Sequence, residues 1–260
     1  MNIIVCIKQV PDTTQVKIDP VTNTLIRDGV ESIVNPFDAY AVEEAVRLKE
    51  RYGGKVLALT MGPPQAEAVL REAIGLGCDE GILVSDRAFA GSDTLATGYT
   101  LAAAIRKIKI FDIILCGKQA SDGDTAQVGP GIATQLDIPQ ITYVKKIEKI
   151  EDNKLIAHRM IEEGFEMIET SLPCLLTVVK EINEPRLPSL KGKMKAKKIE
   201  IPAWKAIDLD IDEVQLGLTG SPTWVSKIFT PPPRPKGEIF EGAAEESVNK
   251  LVEVLKDRLK

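Results

Sequence analysis

Two stretches rich in glycine and hydroxyl groups hold the residue types best suited to a charged ligand. The first, GKQASDGDTAQVGPG (Gly117–Gly131), combines glycines at 117, 123, 129 and 131 with Asp122, Asp124, Ser121 and Thr125. Small residues let a backbone approach a ligand closely, and free N–H groups at a helix start favour phosphate. The second, GSDTLATG (Gly91–Gly98), sets Ser92, Thr94 and Thr97 at another strand-to-helix junction. Two such loops at adjacent strand ends suit two phosphates of one dinucleotide; an ordinary polar connection is the plain alternative for the first. Standard phosphate motifs are missing. There is no GxxxxGK[ST], and Gly75, Gly77 and Gly81 have the wrong spacing for GxGxxG. There is no Ser-Gly-Gly-x-Asp-Ser loop and no GxSxG elbow, and the single His158 has no nucleophile beside it. No catalytic residue is assigned, and a hydrolase is disfavoured.

The four cysteines, Cys6, Cys78, Cys116 and Cys174, are widely separated and form no CxxC pair. They read as buried reduced thiols of a cytoplasmic protein, and a lone histidine rules out ligand sets with two or three. No metal site is expected. With 33 Lys and Arg against 38 Asp and Glu, the formal charge is −5. That argues against general nucleic-acid binding, which needs a basic footprint. No basic segment precedes a long apolar run at the start, and no apolar run nears a membrane span, so neither a signal peptide nor membrane insertion is expected.

The elements that must position the two loops alternate along the first 140 residues. Ile3–Ile7 is a continuous apolar run, as for a buried parallel strand. Residues 36–52 read as a helix, with Asn35 as N-cap, Pro36 at the first position and Gly53–Gly54 as the stop. Strands are expected at 55–60, 81–84 and 111–116, and helices at 65–76, 93–108 and 128–136. This order implies an α/β fold, a parallel Rossmann-like nucleotide-binding sheet with helices on both faces. Ligands on such sheets bind beyond the carboxyl ends of the strands, here 9–13, 61–64, 85–94 and 117–130. Beyond 140, the runs 141–150, 155–160, 165–170 and 174–179 read as an antiparallel extension. Residues 183–198 read as a lysine-rich loop. Prolines then crowd the chain (Pro188, Pro202, Pro222, Pro231–Pro233, Pro235), which suggests an extended arm. The end, 243–260, reads as a helix with Val248, Leu251, Val252 and Leu255 on one face. The domains expected are 1–200, which includes the loop, and an arm with its helix over 201–260.

Several stretches resemble one family. They are VNPFDAYAVEEAVRLKE (Val34–Glu50), GKQASDGDTAQVGP (Gly117–Pro130), AHRMIEEGFEMIETSLPCLLTV (Ala157–Val178) and NEPRLPSLKGKMKAKKIEIP (Asn183–Pro202). In this order they resemble the β subunit of electron-transfer flavoproteins over essentially the whole chain. In the third stretch the signature residues are Arg159, Glu162, Glu163, Glu166, Pro173 and Thr177.

The resemblance implies a partner α subunit carrying FAD, gripped by the C-terminal arm. Conventional members hold a structural AMP in the β subunit. Bifurcating members hold a second FAD there, which takes a hydride from NADH and divides the electrons. One goes to ferredoxin or flavodoxin, the other through the α flavin to an acyl-CoA dehydrogenase. DGDTAQVGP and SDTLATG resemble the bifurcating, FAD-holding group, and the small residues at 123, 126 and 129 suit a flavin. Carried over by position, Cys6 and Ile7 meet the adenine, and Asn35, Pro36, Phe37 and Asp38 turn beside the ribose and adenine. Met61, Gly62 and Pro63 cover the next strand end, while Thr94 and Thr97 hold pyrophosphate oxygens. Gly123, Asp124, Thr125, Gln127, Val128 and Gly129 wrap the phosphates and ribityl chain. Asp38 and Asp124 have helix capping as an alternative role. Leu190 is the anchor that enters a dehydrogenase pocket, with Lys191, Lys193, Lys195, Lys197 and Lys198 steering toward an acidic partner. A conventional carrier with AMP, or a plain adenine-nucleotide module without redox function, stays open as an alternative.

Overall fold

The computed structural model describes residues 1–12, 17–18, 25–26, 32–226, 237 and 239–258. Strand β1 (Asn2–Cys6) is buried from Ile3 onward, as a strand covered on both faces requires. Four short strands follow: β2 (Gln9–Pro11), β3 (Lys17–Ile18), β4 (Leu25–Ile26) and β5 (Ser32–Val34). β2 pairs antiparallel with β5, and β3 with β4. Helix α1 (Pro36–Tyr52) starts on a proline, whose missing N–H costs nothing in the first turn, and ends before Gly53. Then come β6 (Lys55–Met61), α2 (Glu67–Leu76), β7 (Glu80–Val84), α3 (Thr94–Ile108), β8 (Ile113–Gly117) and α4 (Val128–Leu136).

The second half adds β9 (Gln140–Glu151), β10 (Lys154–Ile161), β11 (Gly164–Ser171) and β12 (Cys174–Val178). After them come α5 (Leu190–Lys198), β13 (Ala203–Trp204) and α6 (Ala244–Arg258). One nine-stranded sheet has the order β11-β10-β9-β12-β8-β1-β6-β7-β13. Its strands run parallel from β9 through β13, and β10 and β11 extend it antiparallel. Side chains alternate across the pleat. Ile3 and Val5 pack in one core with α1 and α2, and Ile4 and Cys6 in the other with α3 and α4. This is the α/β parallel-sheet architecture with an antiparallel extension that the sequence implies.

Three local expectations are corrected. The run at 174–178 does not join the antiparallel extension. β12 returns to the middle of the sheet, parallel to both β8 and β9, and all five of its residues are buried. Its unbroken apolar text, CLLTV, is the mark of a strand covered on both faces. The segment 183–198 is not all loop, because α5 spans its second half behind a Ser189 cap whose hydroxyl accepts from Gly192 N. Lysine is a good helix former, so a lysine run on one capped turn propagates. Asn35 precedes α1, but its side chain does not cap it.

The chain divides into two compact units, Met1–Ser226 and Lys227–Lys260. Residues 201–226 lie in the first, where β13 pairs with β7 and Leu209 and Leu216 are buried. In the second, Val248, Leu251, Val252 and Leu255 of α6 are exposed. Thr13 and the proline run 231–235 lie outside the described residues. Among the described residues, no helix is long and apolar enough to cross a membrane.

Candidate functional site

The carboxyl ends of β1 and β8 lie side by side, and Cys6 is in register with Cys116. Beyond them, two side chains at the start of α1 fasten the loops together. Asn35, 1% exposed, donates from Nδ2 to Gln119 O (2.8 Å) and accepts at Oδ1 from Ser121 N (3.0 Å). Its own N–H donates to Lys8 O (2.9 Å). Asp38 accepts from Lys8 N at Oδ2 (2.7 Å) and from Gly117 N at Oδ1 (3.2 Å). Both side chains therefore hold the roots of the 117–131 loop, rather than capping a helix. Burial pushes the Asp38 carboxyl up to about 7, against the opposing pull of its hydrogen bonds.

Asp124 N donates to Ala120 O (2.8 Å), and Asp124 and Ala126 take left-handed backbone angles with φ of 54° and 55°. Gln119 Nε2 bonds Asp124 Oδ1, and Lys8 Nζ bonds Asp122 Oδ1 at 2.6 Å. The turn delivers the chain to α4, whose first residues are Val128, Gly129 and Pro130. Among the described residues, no side chain caps the start of α4. By contrast, the Asp93 carboxylate already occupies the start of α3, accepting from Leu95 N (2.9 Å) and Ala96 N (3.1 Å). The two helices cross near these ends, where a Cβ on Gly98 would lie 3.4 Å from Gly131 C.

The glycines separate into two kinds. A Cβ on Gly117 would lie 2.4 Å from Asp38 Oδ1, and one on Gly129 would lie 2.7 Å from Thr177 Cγ2. The fold itself requires those two. A Cβ on Gly123 or Gly131 would meet nothing within 4 Å among the described residues. Open space along a backbone turn, leading into a helix start that no side chain caps, fits a phosphate-bearing nucleotide.

Cys6, Asn35, Pro36, Phe37, Asp38, Gly123, Asp124, Thr125, Gln127, Val128 and Gly129 thus share the ends of β1 and β8 and the starts of α1 and α4. Met61 ends the neighbouring β6 and Gly62 follows it, its N–H donating to Val84 O (3.1 Å). Thr94 and Thr97 lie in the first turn of α3, after β7, which β1 and β6 separate from β8, so the two loops do not follow adjacent strands as expected. Leu190 stands elsewhere, opening α5, which packs on α2. His158 lies on β10, 3.3 Å from Glu148. The thiol of Cys116 is raised well above its ordinary value by the adjoining Cys6 thiol and by burial. Burial raises Cys78 and Cys174 to about 12, so these three stay protonated and are poor nucleophiles.

Lys8 and Lys118 add contributions that the sequence motifs did not single out, and Thr177, named there only as a signature residue, gains a place in the site. Lys8 supplies both the backbone donor to Asp38 and the ion pair to Asp122, and its place directly after β1 was the available signal. Thr177 lies under Gly129, and its hydroxyl accepts from Tyr143 N (3.1 Å). Lys118 places its ammonium over the rings of Phe37 (5.1 Å) and Tyr143 (5.6 Å).

Comparison with known proteins adds a family. Residues 22–209 match the model of the electron transfer flavoprotein domain. The chain is 57% identical over 259 residues to the electron transfer flavoprotein subunit beta of Thermoanaerobacterium thermosaccharolyticum, covering 99% of each chain. It is 52% identical to the caffeyl-CoA reductase-Etf complex subunit CarD of Acetobacterium woodii, again over 99% of each. Protein FixA of Azotobacter vinelandii is 51% identical, across 93% of this chain and 88% of the relative.

Proposed function

The chain belongs to the electron transfer flavoprotein family, alongside its β subunits, and from that premise we propose that it holds an FAD at the β1/β8 strand ends and serves NADH-driven electron bifurcation. The observation that carries this reading is the open face of the 117–131 loop, with room at Gly123 and Gly131 and, among the described residues, no side chain capping α4. Bound there, a flavin supplies hydride acceptance from NADH and delivery of single electrons to ferredoxin or flavodoxin and, through the α-subunit FAD, to an acyl-CoA dehydrogenase.

The chain's own residues bind and orient. The start of α4 faces the phosphates with the N–H groups of Val128 and Gly129, and its dipole adds to their attraction. Gly123, Asp124, Thr125 and Gln127 shape the turn around phosphate and ribityl chain. Thr94 and Thr97 offer hydroxyls from α3, whose own dipole is already met by Asp93. Asn35 and Asp38 fix the turn that carries Pro36 and Phe37 to the ribose and adenine, with Cys6 beneath and Met61 and Gly62 at the flank. The exposed apolar stripe of α6 suits packing on the α subunit. Leu190, 78% exposed among lysines, suits docking to the dehydrogenase. The CarD and FixA likenesses are in keeping with such complexes, and the setting proposed is the cytoplasm.

An anaerobic NADH titration of the αβ heterodimer with its dehydrogenase and ferredoxin or flavodoxin tests this. Equal electron delivery to both acceptors is expected. No NADH oxidation would contradict it and favour a conventional carrier with AMP.

A further inference from the structure

Before Leu190 the chain is clamped to α1. Asn183 Nδ2 donates to Tyr40 O (3.1 Å) and Glu44 Oε2 (3.0 Å). Arg186 then forks across two carboxylates. Nε reaches Glu43 Oε2 at 2.7 Å, Nη1 reaches Glu50 Oε1 at 2.5 Å, and Nη2 reaches Glu43 Oε1 at 3.2 Å and Glu50 Oε2 at 3.0 Å. Its backbone N–H also donates to Glu43 Oε2 (3.1 Å). The Glu43 side chain is only 3% exposed. Burial opposes its ionisation, but the Arg186 and Arg47 guanidiniums outweigh that and hold the carboxyl below its ordinary value. A buried carboxylate needs such partners, so the backbone at Arg186 is tightly fixed.

The downstream side is fastened as well. Pro188 adjoins Gly75, and Gly192 lies so close to Gly75 O that a Cβ there would fall 2.2 Å from it. Arg71 donates to Ala196 O, and Lys195 Nζ donates to Cys78 O (3.1 Å). Lys195 is therefore engaged in holding α5, while Lys191, Lys193, Lys197 and Lys198 are exposed. Between the two fastenings stand Leu187, 89% exposed, and Leu190. A rigid display of large apolar side chains loses little entropy on docking.

We infer that Leu187 is a second apolar anchor for the dehydrogenase and that Arg186 is the positioning residue that pre-organises both leucines. This rests on the docking role proposed for Leu190. The partner surface it fits is an apolar cleft with an acidic rim, matched to the exposed lysines.

The test measures electron transfer from the αβ heterodimer while the dehydrogenase concentration is varied. Leu187→Ala should raise the apparent KM for the dehydrogenase about tenfold and leave kcat unchanged. Arg186→Lys, which keeps the charge but loses the fork, should raise KM in the same way with nucleotide content intact. An unchanged KM in Leu187→Ala alongside a raised KM in Leu190→Ala would overturn the second anchor but leave the docking role standing. Unchanged KM in both leucine variants would overturn that role itself. An unchanged KM in Arg186→Lys would overturn the positioning role.

Discussion

Gly123, in the loop after β8, and Gly129, in the first turn of α4, sit six positions apart and answer to different constraints. Gly129 faces Thr177 Cγ2, so Gly129→Val should destabilise the whole chain by forcing α4 off β12, an overpacking cost of about 1–3 kcal/mol. Gly123 faces open space, so Gly123→Val should leave the melting temperature of the nucleotide-free protein unchanged while removing bound nucleotide. Thermal melts beside nucleotide content separate the two effects; full nucleotide in Gly123→Val would place the ligand elsewhere. Asp38 makes a second claim at this scale. Its carboxyl is raised from 3.8 to about 7, so the folded state binds a proton more readily than the unfolded one. Its contribution to stability is therefore complete below about pH 4 and is lost as pH rises through about 7. Asp38→Asn, by denaturant unfolding at several pH values, should flatten that slope. Asparagine must also turn its NH2 toward Lys8 N or Gly117 N, so it should lose about 1–3 kcal/mol at low pH.

Among the elements, α3 and α4 differ most in how their starts are satisfied. Asp93 fills the start of α3, and among the described residues no side chain caps α4. Gln127→Glu should therefore act in opposite directions. An exposed carboxylate at the start of α4 favours the dipole by about 0.3–1 kcal/mol, raising the melting temperature of the nucleotide-free chain. The same charge repels phosphate and should lower nucleotide occupancy; unchanged occupancy would place no phosphate there. Much of this level was legible in the sequence. Pro36, Gly53 and the apolar periodicity marked α1, and the buried runs marked the central strands. What was not legible depended on neighbours. CLLTV reads as a strand, yet only its partners β8 and β9 decide that it is parallel. The start of α5 depends on Ser189 and on its contact with Gly75. Asn35 looks like a cap by position, but its amide is drawn to Gln119 and Ser121, far away in sequence.

For the whole molecule, the parallel sheet brings segments near 6, 38, 62, 97 and 123–129 to one set of strand ends, while α5 and the segment before it present Leu190 and Leu187 from the layer of α1 and α2. The proposed nucleotide site and the proposed docking segment thus lie on different elements, which is why substitutions at one should leave the other intact. The loop pattern that suggested a nucleotide was readable residue by residue, whereas the Arg186 clamp needed α1 brought beside a segment over a hundred residues later. The flavin proposed for the β1/β8 strand ends is open to direct test. The most direct measurement releases the ligands of the αβ heterodimer by denaturation and quantifies FAD and AMP per complex. Two FAD per heterodimer, with one lost in Gly123→Val, is the predicted result. One FAD with one AMP would contradict it.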